Sequence, residues 1–155
     1  VYSNGEINYK IKGIHAKASV IWNYEAPEGA KDTHYSIMRG TISNLVIRQG
    51  AEQNYAPTLY VEPIETGDTS DFESQLRAAI NKINEEYLGI DLEKSESGWI
   101  VSIPDNYKSG HEAHFTQVTE KYLGYLKDGK LPEWEVPNML AKYYITTQAF
   151  IKSKE

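Results

Sequence analysis

Cysteine is absent from the 155 residues. That excludes disulfide frameworks, thiolate zinc sites and cysteine nucleophiles together, and it leaves the compartment open. The 11 glycines never form G-x-G, so neither the G-x-G-x-x-G fingerprint nor a phosphate-cradling P-loop can be written. H-E-x-x-H, D-x-D-x-D-G and G-x-S-x-G are missing as well, which argues against a self-contained dehydrogenase, kinase, zincin or α/β-hydrolase. Positive charge is in deficit, 16 Lys and Arg against 22 Asp and Glu for a net charge of −6. Contact with a phosphate backbone needs a positive field, so no nucleic-acid partner is expected. No stretch approaches the roughly 18 apolar residues of a membrane helix, so no membrane partner is expected either. Val1-Tyr2-Ser3-Asn4 carries neither the basic nor the apolar region of a signal peptide. Since there is also no initiating Met, the chain reads as an excised domain.

What is present is globular. With 40% apolar and 25% charged residues the chain is the size and composition of one domain, 1–155. Twelve tyrosines and three tryptophans suit half-wet sheets, pockets and interfaces, because their bodies are apolar and their tips polar. Period-2 alternation marks strands. Ile7, Tyr9 and Ile11 alternate with polar neighbours, and after Gly13 the pattern restarts from Ile14 to Tyr24. Further strands are expected at 33–41, 45–49 and 58–62, with a polar loop over 50–57 and a hairpin over 91–103 turning at Glu96-Ser97-Gly98. The second half changes period. The loop Thr66 to Ser70, with Ser70 and Glu73 spaced as a capping box, opens a helix whose stripe is Phe72, Leu76, Ile80, Ile83 and Tyr87, closed by Gly89. A second helix spans 110–128, with Phe115, Val118, Tyr122 and Leu126 as its inner stripe, and a third starts near Pro137. Strands first and helices after predict the α+β class: an open, mostly antiparallel β-sheet with helices packed on one face. Trp22, Trp99 and the Phe72–Ile83 stripe are its expected core.

Three constellations carry chemistry. In Asp32-Thr-His-Tyr-Ser-Ile-Met-Arg-Gly40, a strand would put His34, Ser36 and Met38 on one face and Tyr35, Ile37 and Arg39 on the other. His34 can exchange a proton near neutrality, and Arg39 can grip an acid with two parallel hydrogen bonds. The same residues also suit an exposed face whose cations pair with acids. The loop after Arg48 offers Gln53 and Tyr55, amide and aromatic groups suited to sugar hydroxyls, or simply a solvated turn. His111 and His114, three apart at a helix start and flanking Glu112, could hold a metal or face a substrate. Alternatively His111 caps the helix and His114 packs at its edge. No third ligand follows at a motif spacing, so no metal is assigned. The candidate substrate-binding set is His34, Arg39, Arg48, Gln53, Tyr55, His111 and His114, with no cofactor-binding residue.

Two stretches resemble a known family. Trp22-Asn-Tyr-Glu-Ala-Pro-Glu-Gly-Ala-Lys-Asp-Thr-His-Tyr-Ser-Ile-Met-Arg-Gly-Thr41, with Asn44-Leu-Val-Ile-Arg-Gln-Gly-Ala-Glu-Gln-Asn-Tyr55, is similar to the C-terminal domain of oxidoreductases of the glucose–fructose oxidoreductase / inositol dehydrogenase / MocA (Gfo/Idh/MocA) group. The closing run His114-Phe115 to Tyr125-Leu-Lys-Asp-Gly-Lys-Leu-Pro132, followed by a last helix, fits the same pattern. The resemblance implies a large open sheet whose free face packs on a second subunit, and an NAD(P)-binding Rossmann domain ahead of Val1. It also implies a small sugar- or polyol-like substrate. The family's Lys-Pro dipeptide and D-x-x-x-H pattern have no match here, and Asp32-Thr-His34 has the wrong spacing, so no catalytic residue carries over.

The leading expectation is thus the substrate-side and homo-oligomerisation domain of an NAD(P)-dependent oxidoreductase. It would bind no cofactor alone, and it would dock through a sheet face bearing Lys17, Ser19, Ile21 and Asn23. The alternative is a free-standing carbohydrate- or peptide-binding module that uses the tyrosines and the Arg48–Tyr55 loop. A metal-dependent hydrolase built on His111, Glu112 and His114 is the third.

Overall fold

The computed structural model describes residues 4–65 and 67–155. Val1, Tyr2, Ser3 and Thr66, which carry part of the leader and capping-loop readings, lie outside the described residues. Along the described chain run β1 (Gly5–Ile11), β2 (Ile14–Val20), β3 (His34–Arg39), β4 (Ser43–Gln49), β5 (Thr58–Pro63), α1 (Ser70–Ile83), β6 (Asp91–Ser95), β7 (Gly98–Ser102), α2 (His111–Asp128) and α3 (Glu135–Lys152). The class is α+β with open antiparallel sheets, as the change of period predicts. The strands do not form one meander, however: β1 and β2 pair only with each other, and the rest form a sheet in the order β3-β4-β5-β7-β6. The chain divides into two compact units, 1–25 with 111–155, and 26–110.

In the first unit, Lys12 and Gly13 both take positive φ (48° and 83°). Two left-handed residues in a two-residue loop match the right-handed twist of the flanking strands, and they set the register Ile11↔Ile14 through Gly5↔Val20. At the open end, the Asn4 side-chain carbonyl accepts the Trp22 backbone N–H at 2.6 Å, and the Asn4 amide donates to Asn23. This clasp takes the backbone bond that a longer β2 would have used. The strand expected to reach Tyr24 therefore stops at Val20, and Trp22, expected in the core, is 72% exposed. Ile7, Tyr9 and Ala16 are half-buried, and α3 lies against β1. The stripe Phe115, Val118, Tyr122 and Leu126 on α2 is exposed, as are Leu140 and Tyr144 on α3. The period identified an apolar face correctly, but nothing among the described residues covers it.

The second unit holds the core. Register and alternation put Leu59, Val61, Trp99, Val101 and Leu92 on one face of the five-stranded sheet. Ile80 of α1 packs there with Leu92 and Trp99, flanked by Phe72, Leu76 and Ile90. Trp99 is 1% exposed, with the Phe72 ring centroid 5.3 Å away and the Lys94 ammonium 4.3 Å from its own ring centroid. Ile83, expected in that core, is exposed at the last turn of α1. The helix ends there, before Tyr87, because Asn84 diverts the chain. Its side-chain oxygen accepts the N–H groups of Gly89 and Ile90 (2.8 and 2.9 Å), and its amide donates to the carbonyl of Ile90. The helix start also differs from the expected capping box. Asp68 accepts the Ser70 N–H at 3.0 Å, which leaves Glu73 to pair with Arg77 (2.7 Å) and Lys94 (3.7 Å).

The join between β7 and β5 depends on a missing side chain. Gly98 has φ of +150°, and a Cβ there would sit 2.2 Å from the Val61 carbonyl oxygen and 3.1 Å from the Glu62 Cα. Gly98→Ala is expected to lose about 3 kcal/mol from combined backbone strain and overpacking, seen as a lower urea midpoint. Gly124→Ala, on α2 with open space around the added methyl, should be neutral or gain up to about 1 kcal/mol from helix propensity. Equal midpoints for the two variants would contradict this account of the β5–β7 join.

Candidate functional site

The opposite face of the same sheet carries an apolar row, Ile37, the fully buried Val46 and Ile100, and beside it a polar network. β4 and β5 pair with Arg48↔Thr58, Val46↔Tyr60 and Asn44↔Glu62, so alternation gathers Arg48, Tyr60 and Glu62 on one side. The Arg48 guanidinium spans the two diagonal steps. Its Nη2 donates to Glu62 Oε1 at 2.8 Å, and its Cζ lies 4.6 Å from the Tyr60 ring centroid. The same carboxylate oxygen accepts the Ser97 hydroxyl at 2.6 Å, and the Tyr60 hydroxyl accepts the Gln53 amide at 3.1 Å. At 33% and 17% side-chain exposure, this pair is the most sheltered ion pair among the described residues. Burial raises the Glu62 pKa, but hydrogen bonds from Ser97 and Arg48, together with the Arg48 charge, outweigh it and hold the carboxyl below its ordinary value.

The loop between β4 and β5 closes one side of this network. The Gly50 carbonyl accepts the N–H groups of Gln53 (3.1 Å) and Tyr55 (2.7 Å) around a single 3-10 turn, Ala51–Gln53. Asn54 and Tyr55 follow with φ of 51° and 59°. Asn tolerates that region, whereas a tyrosine there is strained by about 1–3 kcal/mol. Beside the loop, a depression of about 320 Å³ is lined by Thr33, His34, Tyr35, Arg48, Gln49, Gly50 and Gln53. Gln49 is anchored, donating to the Asp32 carbonyl at 3.0 Å. The Arg48 charge is matched by Glu62, so the depression presents amides, a phenol, an imidazole and a hydroxyl rather than a free cation. Such a lining suits neutral hydroxyl groups better than carboxylates or phosphates.

Of the residues singled out in the sequence, His34, Arg48 and Gln53 meet at this depression. Tyr55 is half-buried at the end of the loop, outside the lining. Arg39 is exposed at the far end of β3, opposite Asn44. His111 and His114 belong to the first unit, exposed at the start of α2, with the His111 ring edge-on to Phe115 at 4.9 Å. No group of three or more His, Asp and Glu able to hold a metal occurs among the described residues. Sequence reasoning missed Glu62, Tyr60 and Ser97, whose place beside Arg48 depends on a strand register that no local motif encodes.

The N-terminus of α1, which a pyrophosphate would need, is taken by the Asp68 carboxylate and flanked by Asp71 and Glu73. No glycine-rich strand-to-helix turn precedes it.

Glu62→Gln keeps the shape and removes the charge. The folded pKa of Glu62 lies below its unfolded value, so its contribution is full above the ordinary carboxylate range and is lost as pH falls through the folded pKa. The variant should therefore be about 1–2 kcal/mol less stable at pH 7. The gap from the parent should narrow as pH falls below the ordinary carboxylate range and through the folded pKa. Urea titrations across this range test the sign, and a gap that widens in acid would refute it.

Comparison with known proteins gives two findings. The family model described as "Putative oxidoreductase C terminal domain" matches residues 1–154. The crystal structure of a putative oxidoreductase from Parabacteroides merdae ATCC 43184 is similar at 57% sequence identity and a TM-score of 0.92, over 98% of this chain. The chain spans 35% of the length of that relative. No curated protein matches. The chain belongs to the oxidoreductase C-terminal domain family.

Proposed function

We propose that this chain is the substrate-side and subunit-contact domain of an NAD(P)-dependent oxidoreductase of the Gfo/Idh/MocA group, acting on a sugar- or polyol-like substrate. The observation that carries the proposal is the family match over nearly the whole chain, joined to a 57%-identical relative of which the chain spans only 35%. A longer polypeptide of that kind has room for a separate Rossmann domain, and the α1 N-terminus of this chain offers a dinucleotide no site. The uncovered apolar stripes of α2 and α3 support docking on the remaining polypeptide or a second copy, since exposed apolar patches mark interaction surfaces.

The depression beside Arg48, Gln53, His34 and Tyr35 is the proposed place where substrate hydroxyls are read. Here Arg48 acts through the network: it orients Tyr60 and, through it, the Gln53 amide. The nicotinamide would accept or return the hydride, while these residues would bind and orient the substrate.

The test uses the full-length protein with NAD or NADP and a panel of sugars and polyols, followed by absorbance of the reduced nicotinamide. Turnover is expected with at least one of them. Gln53→Ala is expected to raise KM about tenfold while kcat changes less than about threefold, the pattern of lost uniform binding. Turnover with an unchanged KM would remove the depression from the substrate site. No cofactor reduction, together with glycan binding by the isolated chain, would favour a free-standing carbohydrate-binding module instead.

A further inference from the structure

We propose that the polar face of the β1–β2 hairpin is an oxyanion site for a small phosphorylated ligand, separate from the Arg48 depression. Alternation and the register Asn8↔Lys17 and Lys10↔His15 place these four side chains in a two-by-two square on one face. A depression of about 430 Å³ is lined by the same four residues with Tyr9 and Ala16. The nearest acid on that face is Glu6, and it is already engaged. It pairs with Lys17 at 2.6 Å and accepts the Asn8 amide at 3.1 Å. Lys17 is thereby neutralised and held in place. Lys10 faces His15 directly, and no ion pair among the described residues involves either of them or Lys12 at the adjoining turn.

This arrangement is unusual for a chain of net charge −6 with 22 acidic residues. The Lys10 ammonium stands opposite the His15 imidazole with no acidic side chain among the described residues paired to it. An anion seated between them would pair with that ammonium and accept an N–H from the imidazole. The square also supplies donors in excess: the Lys10 ammonium, an imidazole N–H, the remaining ammonium hydrogens of Lys17 and the second amide hydrogen of Asn8. A tetrahedral oxyanion accepts several such bonds at once, and charge-assisted bonds of this kind are the strong ones. The volume admits a phosphate with a small organic group attached. A nucleic acid would demand a longer positive track than one hairpin provides.

Phosphate titration of the 15N-labelled protein tests the proposal, with sodium chloride at matched ionic strength as reference. Saturable shifts confined to the amides of residues 8–17 are expected with inorganic phosphate and not with chloride. Lys10→Gln and His15→Gln should each weaken binding about fivefold or more, while Lys82→Gln, on α1, leaves it unchanged. Glucose 6-phosphate binding at least as tightly as inorganic phosphate supports an esterified ligand. Equal responses to chloride, absence of saturation, or equal weakening by Lys82→Gln would reduce the effect to charge screening and overturn the proposal. Binding of inorganic phosphate with rejection of glucose 6-phosphate would mean an adventitious ion only, and would overturn it too.

Discussion

The seating of Trp99 against α1 is the contact on which the second unit depends. Its indole meets the Phe72 ring and the Lys94 ammonium and is 1% exposed, and burying such a ring is worth several kcal/mol, since Trp-to-Ala changes in cores cost about 3–5 kcal/mol. The ring can sit there only because the preceding residue has no side chain. Gly98 lets β7 approach the backbone of β5, and three register pairs follow, Leu59↔Val101, Tyr60↔Ile100 and Val61↔Trp99. That same join carries Ser97, one residue earlier in the turn, to the Glu62 carboxylate. The apolar face thus fixes the geometry of the polar network on the other through the backbone between them.

The two faces divide the labour. On one, α1 with β5, β6 and β7 excludes water and provides stability. On the other, a matched ion pair, a phenol and an amide form a network that is sheltered without being sealed. A matched Arg–Glu pair is a modest source of stability, because desolvation offsets much of the Coulomb gain. Its stronger effect is positional, because Arg48 is held both to Glu62 and over Tyr60 and so has few alternative rotamers. The strained Asn54–Tyr55 step is consistent with that emphasis. Backbone strain persists where surrounding contacts over-determine it, and here the Gly50 carbonyl and the Gln53 amide do so.

Much of the fold was legible in the sequence. Alternation found β1, β3, β4, β5 and the β6–β7 hairpin, and the 3.6-residue period found all three helices. Three of the errors fall where a side chain competes with the backbone ladder. Asn4 ends β2 early and leaves Trp22 in solvent, Asn84 ends α1 before Tyr87, and Asp68 replaces the expected Ser70 cap. Short-range side-chain bonds of this kind leave no periodic trace. The site was half legible. Arg48, Gln53 and His34 stood out by type, but Glu62 and Ser97 lie 14 and 49 residues from Arg48 in sequence, and only register brings them to it. His111 and His114 belong to the first unit, exposed at the start of α2.

The three tryptophans divide unevenly between the two units. Trp22 and Trp134 belong to the first, 72% and 53% exposed, while Trp99 is buried in the second. An indole in water emits at longer wavelength than one in an apolar core, so the blue part of the intrinsic fluorescence belongs to Trp99 alone. The molecule therefore carries its own optical label for one unit: loss of the blue component follows the melting of the five-stranded sheet, whatever the hairpin and the last two helices are doing.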